Sequence, residues 1–201
     1  MRNKELEEKI KTDLRQGLSP HRYEHVLGVA AAARNLAERY GYDPDTAELA
    51  GLLHDVAKQL DLKQMQILAR RSFADTLPAA IMSVGSLLHG YAAVTVAKEK
   101  YSLTDMDLLN SLAHHTTGAE HMSKLEKIIF IADYIEVHRD FDGVDHLRDI
   151  AAADLDEAVL AGYDSTISHL LEQQKCIFIG TVRNRNAQIG YMESLHRKAS
   201  V

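Results

Sequence analysis

Eleven glycines and three prolines in 201 residues leave this chain few places where a helix must stop, and that scarcity constrains its fold more than any other feature. These two breakers make up roughly 12% of average chains and little more than half that share here. No segment shows the Val/Ile/Thr-rich alternation of a strand, so the expected fold class is all-α. The punctuation agrees. Ser19-Pro20 and Asp43-Pro44 each read as an N-cap followed by proline at the first helical position, and Gly41 ends the first of these helices. The second is predicted to carry GLLHDVAKQL (51–60), with Leu52, Leu53, Val56 and Leu60 on one core-facing stripe. Thr104-x-x-Asp107 signals another helix start. Ser123-x-x-Glu126 is a capping box opening SKLEKIIFIADYIEV. Further helices are expected over about 144–175, with a break near Asp154, and over about 181–197, joined by CIFIG as a short extended connection. With no repeat and no low-complexity linker, residues 1–201 read as a single bundle-like domain.

Charge and cysteine usage exclude several classes. The net charge is −6 with no long basic tract, so the electrostatic footprint of a nucleic-acid-polymer binder is missing. An anionic small substrate remains admissible where cations are concentrated in one site. One cysteine, Cys176, allows neither an internal disulfide nor a cysteine-rich zinc site. The start, MRNKELEEKIKTDLRQ, is charged and helical, unlike a signal peptide. No apolar run approaches the roughly 18 residues of a membrane span. The expected location is cytoplasmic, without membrane partners.

The informative feature is the placement of eleven histidines. His54 and Asp55 interrupt the apolar GLLHDVAKQL; His25 lies in HRYEHVLGVAAAARNLA, His89 in GSLLHGYAAV, and His114 and His115 just before TTG. Asp133 stands in IIFIADYI among isoleucines, where a carboxylate needs a cation or several donors. A buried salt bridge would serve Asp133, and so would a metal. Any one of these histidines alone reads as a hydrogen-bonded core residue. Together they match the way helical bundles assemble metal sites, one or two N or O ligands per helix. Ala50, Gly51 and Gly90 would let the helices approach closely. Imidazole and carboxylate without thiolate suit iron, manganese, cobalt or zinc. Lys58, three residues after Asp55, is either a surface partner for Asp55 or a cation aimed at a metal-bound anion.

The pattern His25…His54-Asp55…Asp133 resembles the HD-domain metal-dependent phosphohydrolases. The ordered set HRYEHVLGVA, AGLLHDVAK, LLHGYAA, HHTTG, LEKIIFIADYIE, RDFDGV and Arg185-Asn186 resembles, more narrowly, the bacterial YqeK-type symmetrical bis(5′-nucleosyl)-tetraphosphatases, over about residues 20–186. The resemblance implies an HD helical bundle with a metal site at its centre, its metal-binding core over about 20–140 and C-terminal helices over about 144–198 packing on it. It implies that His25, His54, Asp55 and Asp133 hold one metal, and that Asp55 bridges to a second held by His89 and His115. The implied centre is iron, dinuclear, with manganese, cobalt or zinc as substitutes. Lys58, Arg139 and Asp140 match positions near the substrate, Lys58 and Arg139 as phosphate contacts, and Arg185 is a further candidate. Asp142 departs from the family's proline, and His114 from its aromatic residue, which leaves the choice between His114 and His115 open.

The implied activity is hydrolysis of diadenosine tetraphosphate to two ADP by metal-activated water, with Asp55 and Lys58 in the catalytic centre. Expected partners are the dinucleoside tetraphosphate or a nucleoside diphosphate, and a second copy of the chain is admitted. Tyr91, Tyr134 and Phe141 are candidates for stacking on a base, or ordinary core. Two rival readings stand beside this one. One is an HD phosphohydrolase acting on another nucleotide, and the other is a non-catalytic module that senses nucleotide.

Overall fold

The computed structural model describes residues 4–199; residues 1–3 and 200–201, included in the single-domain expectation, lie outside the described residues. Eleven helices follow one another, and no strand occurs among the described residues. They are α1 (Lys4–Gly17), α2 (Pro20–Tyr40), α3 (Pro44–Leu53), α4 (Leu62–Phe73), α5 (Ala79–Met82), α6 (Gly85–Tyr101), α7 (Met106–His114), α8 (Lys124–Ile135), α9 (Val144–Ala153), α10 (Leu155–Glu172) and α11 (Ile179–Ala199). The all-α expectation holds. No helix among the described residues is long and apolar enough to cross a membrane.

The local signals act as their chemistry requires. Ser19 and Asp43 accept from the N–H groups of Arg22 and Thr46, with Pro20 and Pro44 at the helix starts. Gly41 ends α2 in the left-handed region, φ 64°. Both halves of the Ser123/Glu126 capping box are formed. Asp154 separates α9 from α10 and caps the latter through Asp156 and Glu157. Two boundaries differ from expectation. Asp105, not Thr104, is the N-cap of α7, its carboxylate accepting from Asp107 and Leu108; an ionised cap is favoured at the positive end of a helix. Helix α11 starts at Ile179, so the connection from α10 covers 173–178, and Ile179 and Gly180 belong to the helix.

The core is built where α2 packs on α3 and α8, and where α7 bridges α6 and α8. Helix α4 lies along α6, while α10 seats α9 and α11 and contacts α8. Glycines set the closest crossings. A Cβ on Gly51 would come 2.7 Å from Ala30 Cα, and one on Gly90 would come 2.5 Å from Leu112 O. Backbone therefore meets backbone at α3/α2 and at α6/α7, which brings His54, His89 and His115 towards a common centre.

Candidate metal centre

GLLHDVAKQL is not one helix. Helix α3 stops at Leu53, and 54–59 continue as turns closed by Val56 N–H to Leu53 O (3.1 Å) and Lys58 N–H to Asp55 O (2.9 Å). The cause is local: His54 Nδ1 sits 2.7 Å from Gly51 O, the carbonyl that Asp55 N–H would need to prolong the helix. Helix α7 ends the same way, with its C-cap His115 placing Nδ1 2.8 Å from Leu112 O. In each case Nδ1–H donates to the backbone, so Nε2 is left as a lone pair. His89, inside α6, directs Nδ1 to Gly85 O at 3.3 Å.

These lone pairs converge on Asp55, which is 1% exposed. Its Oδ1 lies 3.0 Å from His89 Nε2 and 3.7 Å from His115 Nε2. Its Oδ2 lies 3.7 Å from His54 Nε2 and 3.8 Å from His25 Nε2. His25 Nε2 is also 3.2 Å from Asp133 Oδ1. Despite this crowding, His25 Nε2, His54 Nε2 and Asp55 Oδ1 are buried without a hydrogen-bond partner. The two Nε2 atoms of His89 and His115 face each other at 2.8 Å, an arrangement that needs a positive charge or a proton between them.

Electrostatics point the same way. Burial pushes His54 and His89 down to about 4, against the pull of Asp55. Burial opposes ionisation of Asp55, yet His54, His115, His89 and Lys58 hold its carboxyl well below the usual range. Asp133 is held low in the same way, by His25, His54 and Arg139 against burial. The site thus combines ionised carboxylates with imidazole nitrogens whose lone pairs are unused, which fits a borderline divalent cation. Three sets have their ligand atoms within 4.8 Å of one another: His25, His54 and Asp55; His54, His115 and Asp133; and Asp55, His89 and His115. Asp55 belongs to two of them.

His115 rather than His114 enters the cluster; His114 Nδ1 lies 2.5 Å from Glu126 Oε1 on α8. Lys58 Nζ stands 3.5 Å from Asp55 Oδ1 and 3.2 Å from His89 Nε2. Arg139 is ion-paired with Asp133. Asp140 is exposed beside it. Arg185 is paired instead with Asp164, its Nε 2.5 Å from Oδ1, and does not line the cavity beside the cluster. That cavity, about 380 Å³, runs from His115, Thr116, Asp133 and Arg139 to Tyr134, Phe141 and Leu170. Tyr91 is core, packed edge-on against Phe73. Sequence reasoning passed over Arg22, whose Nη1 donates to Asp55 Oδ2 at 2.8 Å, and Glu136, 3.1 Å from His25 Nδ1. Arg22 lies three residues before His25 on α2, a spacing that could have flagged it. Glu136 lies three residues after Asp133, the same spacing, but its partner His25 is on α2, which meets α8 only in the fold.

Comparison with known proteins bears on this geometry. The HD domain model matches residues 22–137, which contain all six clustered ligand candidates. The symmetrical bis(5′-nucleosyl)-tetraphosphatase of Halalkalibacterium halodurans is 39% identical over 170 residues, covering 84% of this chain and 89% of that protein. The Bacillus subtilis protein of the same name is 35% identical over 175 residues, covering 86% and 92%. A crystal structure from Clostridium acetobutylicum, described as a predicted HD superfamily hydrolase involved in NAD metabolism, superposes with a TM-score of 0.87 at 39% identity, covering 92% of this chain and 97% of that one. With this coverage on both sides, the chain belongs to the HD-domain family and, within it, to the group of the symmetrical bis(5′-nucleosyl)-tetraphosphatases.

Proposed function

We propose that the protein is a metal-dependent phosphohydrolase that splits diadenosine tetraphosphate symmetrically into two ADP. The observation that carries this reading is the convergence of His25, His54, Asp55, His89, His115 and Asp133, with orphaned lone pairs, in a chain so similar to hydrolases of that name. His25, His54, Asp55 and Asp133 would hold one ion, and Asp55, His89 and His115 a second. The reading takes the metal as iron and the centre as dinuclear. Such ions, when bound, lower the pKa of a water ligand and draw charge from phosphoryl oxygens.

The chain's own residues supply the rest. Lys58, its side chain 29% exposed and beside Asp55, offers a point charge to a phosphate oxygen as negative charge builds there. Arg139, 37% exposed and already fixed by Asp133, offers a planar fork to a second phosphate, and Asp140, exposed next to it in the chain, would stand near that phosphate. Arg22 can release Asp55 to the metal and turn its guanidinium to the substrate. Tyr134, Phe141 and Leu170 form the apolar end of the adjoining cavity and would take a base, setting which phosphorus faces the cluster. Arg185 would join only by leaving Asp164. In the net reaction, the hydroxyl of water adds to one inner phosphorus. The bridging oxygen leaves with the other ADP, and the proton passes to solvent.

Ion-exchange analysis of products tests this, using protein reconstituted with ferrous iron under reducing conditions. ADP as sole product, lost in Asp55→Ala, is the expected result. AMP plus ATP would overturn the register. No turnover by metal-loaded protein would overturn diadenosine tetraphosphate as the substrate and favour another nucleotide or a sensing module.

A further inference from the structure

Glu136 is in none of the ligand sets, yet it is 2% exposed and held from two sides. Its Oε1 lies 3.1 Å from His25 Nδ1, and its Oε2 accepts the backbone N–H of His138 at 2.8 Å. Space for this carboxylate is made by Gly28, three residues after His25 on the same face of α2. A Cβ there would come 2.3 Å from Glu136 Oε2 and 3.1 Å from its Cδ. Gly28 lies inside a helix, so the missing side chain provides room rather than conformational freedom.

The other three histidines of the cluster turn Nδ1 to backbone carbonyls. His54 and His115 can do so because they stand where helices stop. His89, inside α6, makes only a longer contact of 3.3 Å to Gly85 O, a carbonyl that its own helix uses. His25 likewise stands inside α2, and its Nδ1–H is met instead by a carboxylate from another element. An anionic acceptor does more than a carbonyl, because it fixes the tautomer and makes the opposite nitrogen a stronger ligand. We propose that Glu136, seated in the slot left by Gly28, is the positioning residue that holds His25 as a metal ligand. It accepts the hydrogen bond of Nδ1–H and so leaves the Nε2 lone pair bare towards Asp55 and Asp133. This inference rests on the reading of the cluster as a metal centre.

The test is cobalt(II) affinity of the full chain, measured by competition with a coloured chelator at fixed pH, with thermal melting of each metal-free variant. Glu136→Ala is expected to lose about 10–100-fold in affinity. Glu136→Gln, which keeps one acceptor, recovers part of it. Gly28→Ala is expected to show a similar loss with no fall in the melting temperature, because only the end of a flexible side chain has to move. In the double variant, Gly28→Ala should add nothing to Glu136→Ala. Wild-type affinity in Glu136→Ala or Gly28→Ala, or additive losses in the double variant, would overturn the inference while leaving the metal centre standing. A wild-type protein that binds no cobalt would overturn the metal-centre reading and this inference with it.

Discussion

Helix α8 carries a buried lysine near its start and a carboxylate near its end, and the fold treats them in opposite ways. Lys127 is 8% exposed, and its charge is fully answered. Its Nζ lies 2.5 Å from Asp156 Oδ1 and 4.2 Å from the centre of the Tyr191 ring, while Gln188 Nε2 donates to the same Asp156 oxygen at 3.2 Å. At the other end, Asp133 faces a group in which His25 Nε2, His54 Nε2 and Asp55 Oδ1 have no hydrogen-bond partner. A satisfied buried network holds a structure together, here fastening α10 and α11 to α8, whereas an unsatisfied one costs stability and persists where a ligand completes it. The same helix thus serves as a strut at one end and as one wall of the candidate metal centre at the other.

Activity measurements probe this contrast most sharply. Asp55→Ala should lower turnover by about 10³-fold or more, since several kcal/mol of charge stabilisation would depend on the metal that it would hold. Lys127→Met should leave turnover per folded molecule unchanged, and equal losses in the two variants would erase the distinction. Acid separates the two ends next. His54 and His89 fall from 6.5 to about 4 on folding, so between those values the unfolded chain binds protons that the folded chain refuses. Stability of the metal-free protein is therefore complete above about pH 6.5 and declines as pH falls towards 4, by up to about 3 kcal/mol per histidine. Denaturant titrations across that window should show the decline. Lys127→Met should show it as well, because its network contains no imidazole.

Smaller effects refine the comparison. Lys127→Met should cost about 2 kcal/mol in urea unfolding, as the partly buried Asp156 loses its cation. Metal at 100 times its dissociation constant should stabilise the wild type by about 2.7 kcal/mol and should do the same for Lys127→Met, a shift that chelator reverses. Arg185→Ala breaks a partly exposed pair with Asp164 and should change stability by less than about 1 kcal/mol. A rise in KM with that substitution would show that Arg185 leaves Asp164 for the substrate; an unchanged KM would remove it from the site.

What could be read from the residues was local chemistry. N-caps at Ser19, Asp43 and Ser123, the left-handed Gly41 and the break at Asp154 depend on neighbours a few positions away, so they were legible. Asp61-x-x-Gln64, which forms a complete capping box at the start of α4, was equally local and was passed over. The residue types of the centre were legible as well, because histidine and aspartate inside apolar runs are costly without a partner. The end of α3 was not. An apolar stripe continues through Val56 and Leu60 whether the backbone is helix or turn, and the choice was made by a side chain competing for Gly51 O.

The sequence by itself therefore determined the helices, the breaker positions and a ligand chemistry of imidazole and carboxylate without thiolate. Only the tertiary structure decided that His115 enters while His114 turns to Glu126, that Arg139 closes on Asp133, and that Glu136 reaches His25 through the gap at Gly28. The last of these joins residues 111 positions apart through the room that Gly28 leaves, while the first two turn on how α7 meets α8 and how the chain folds back after α8. Spacing along one helix carries no record of such meetings.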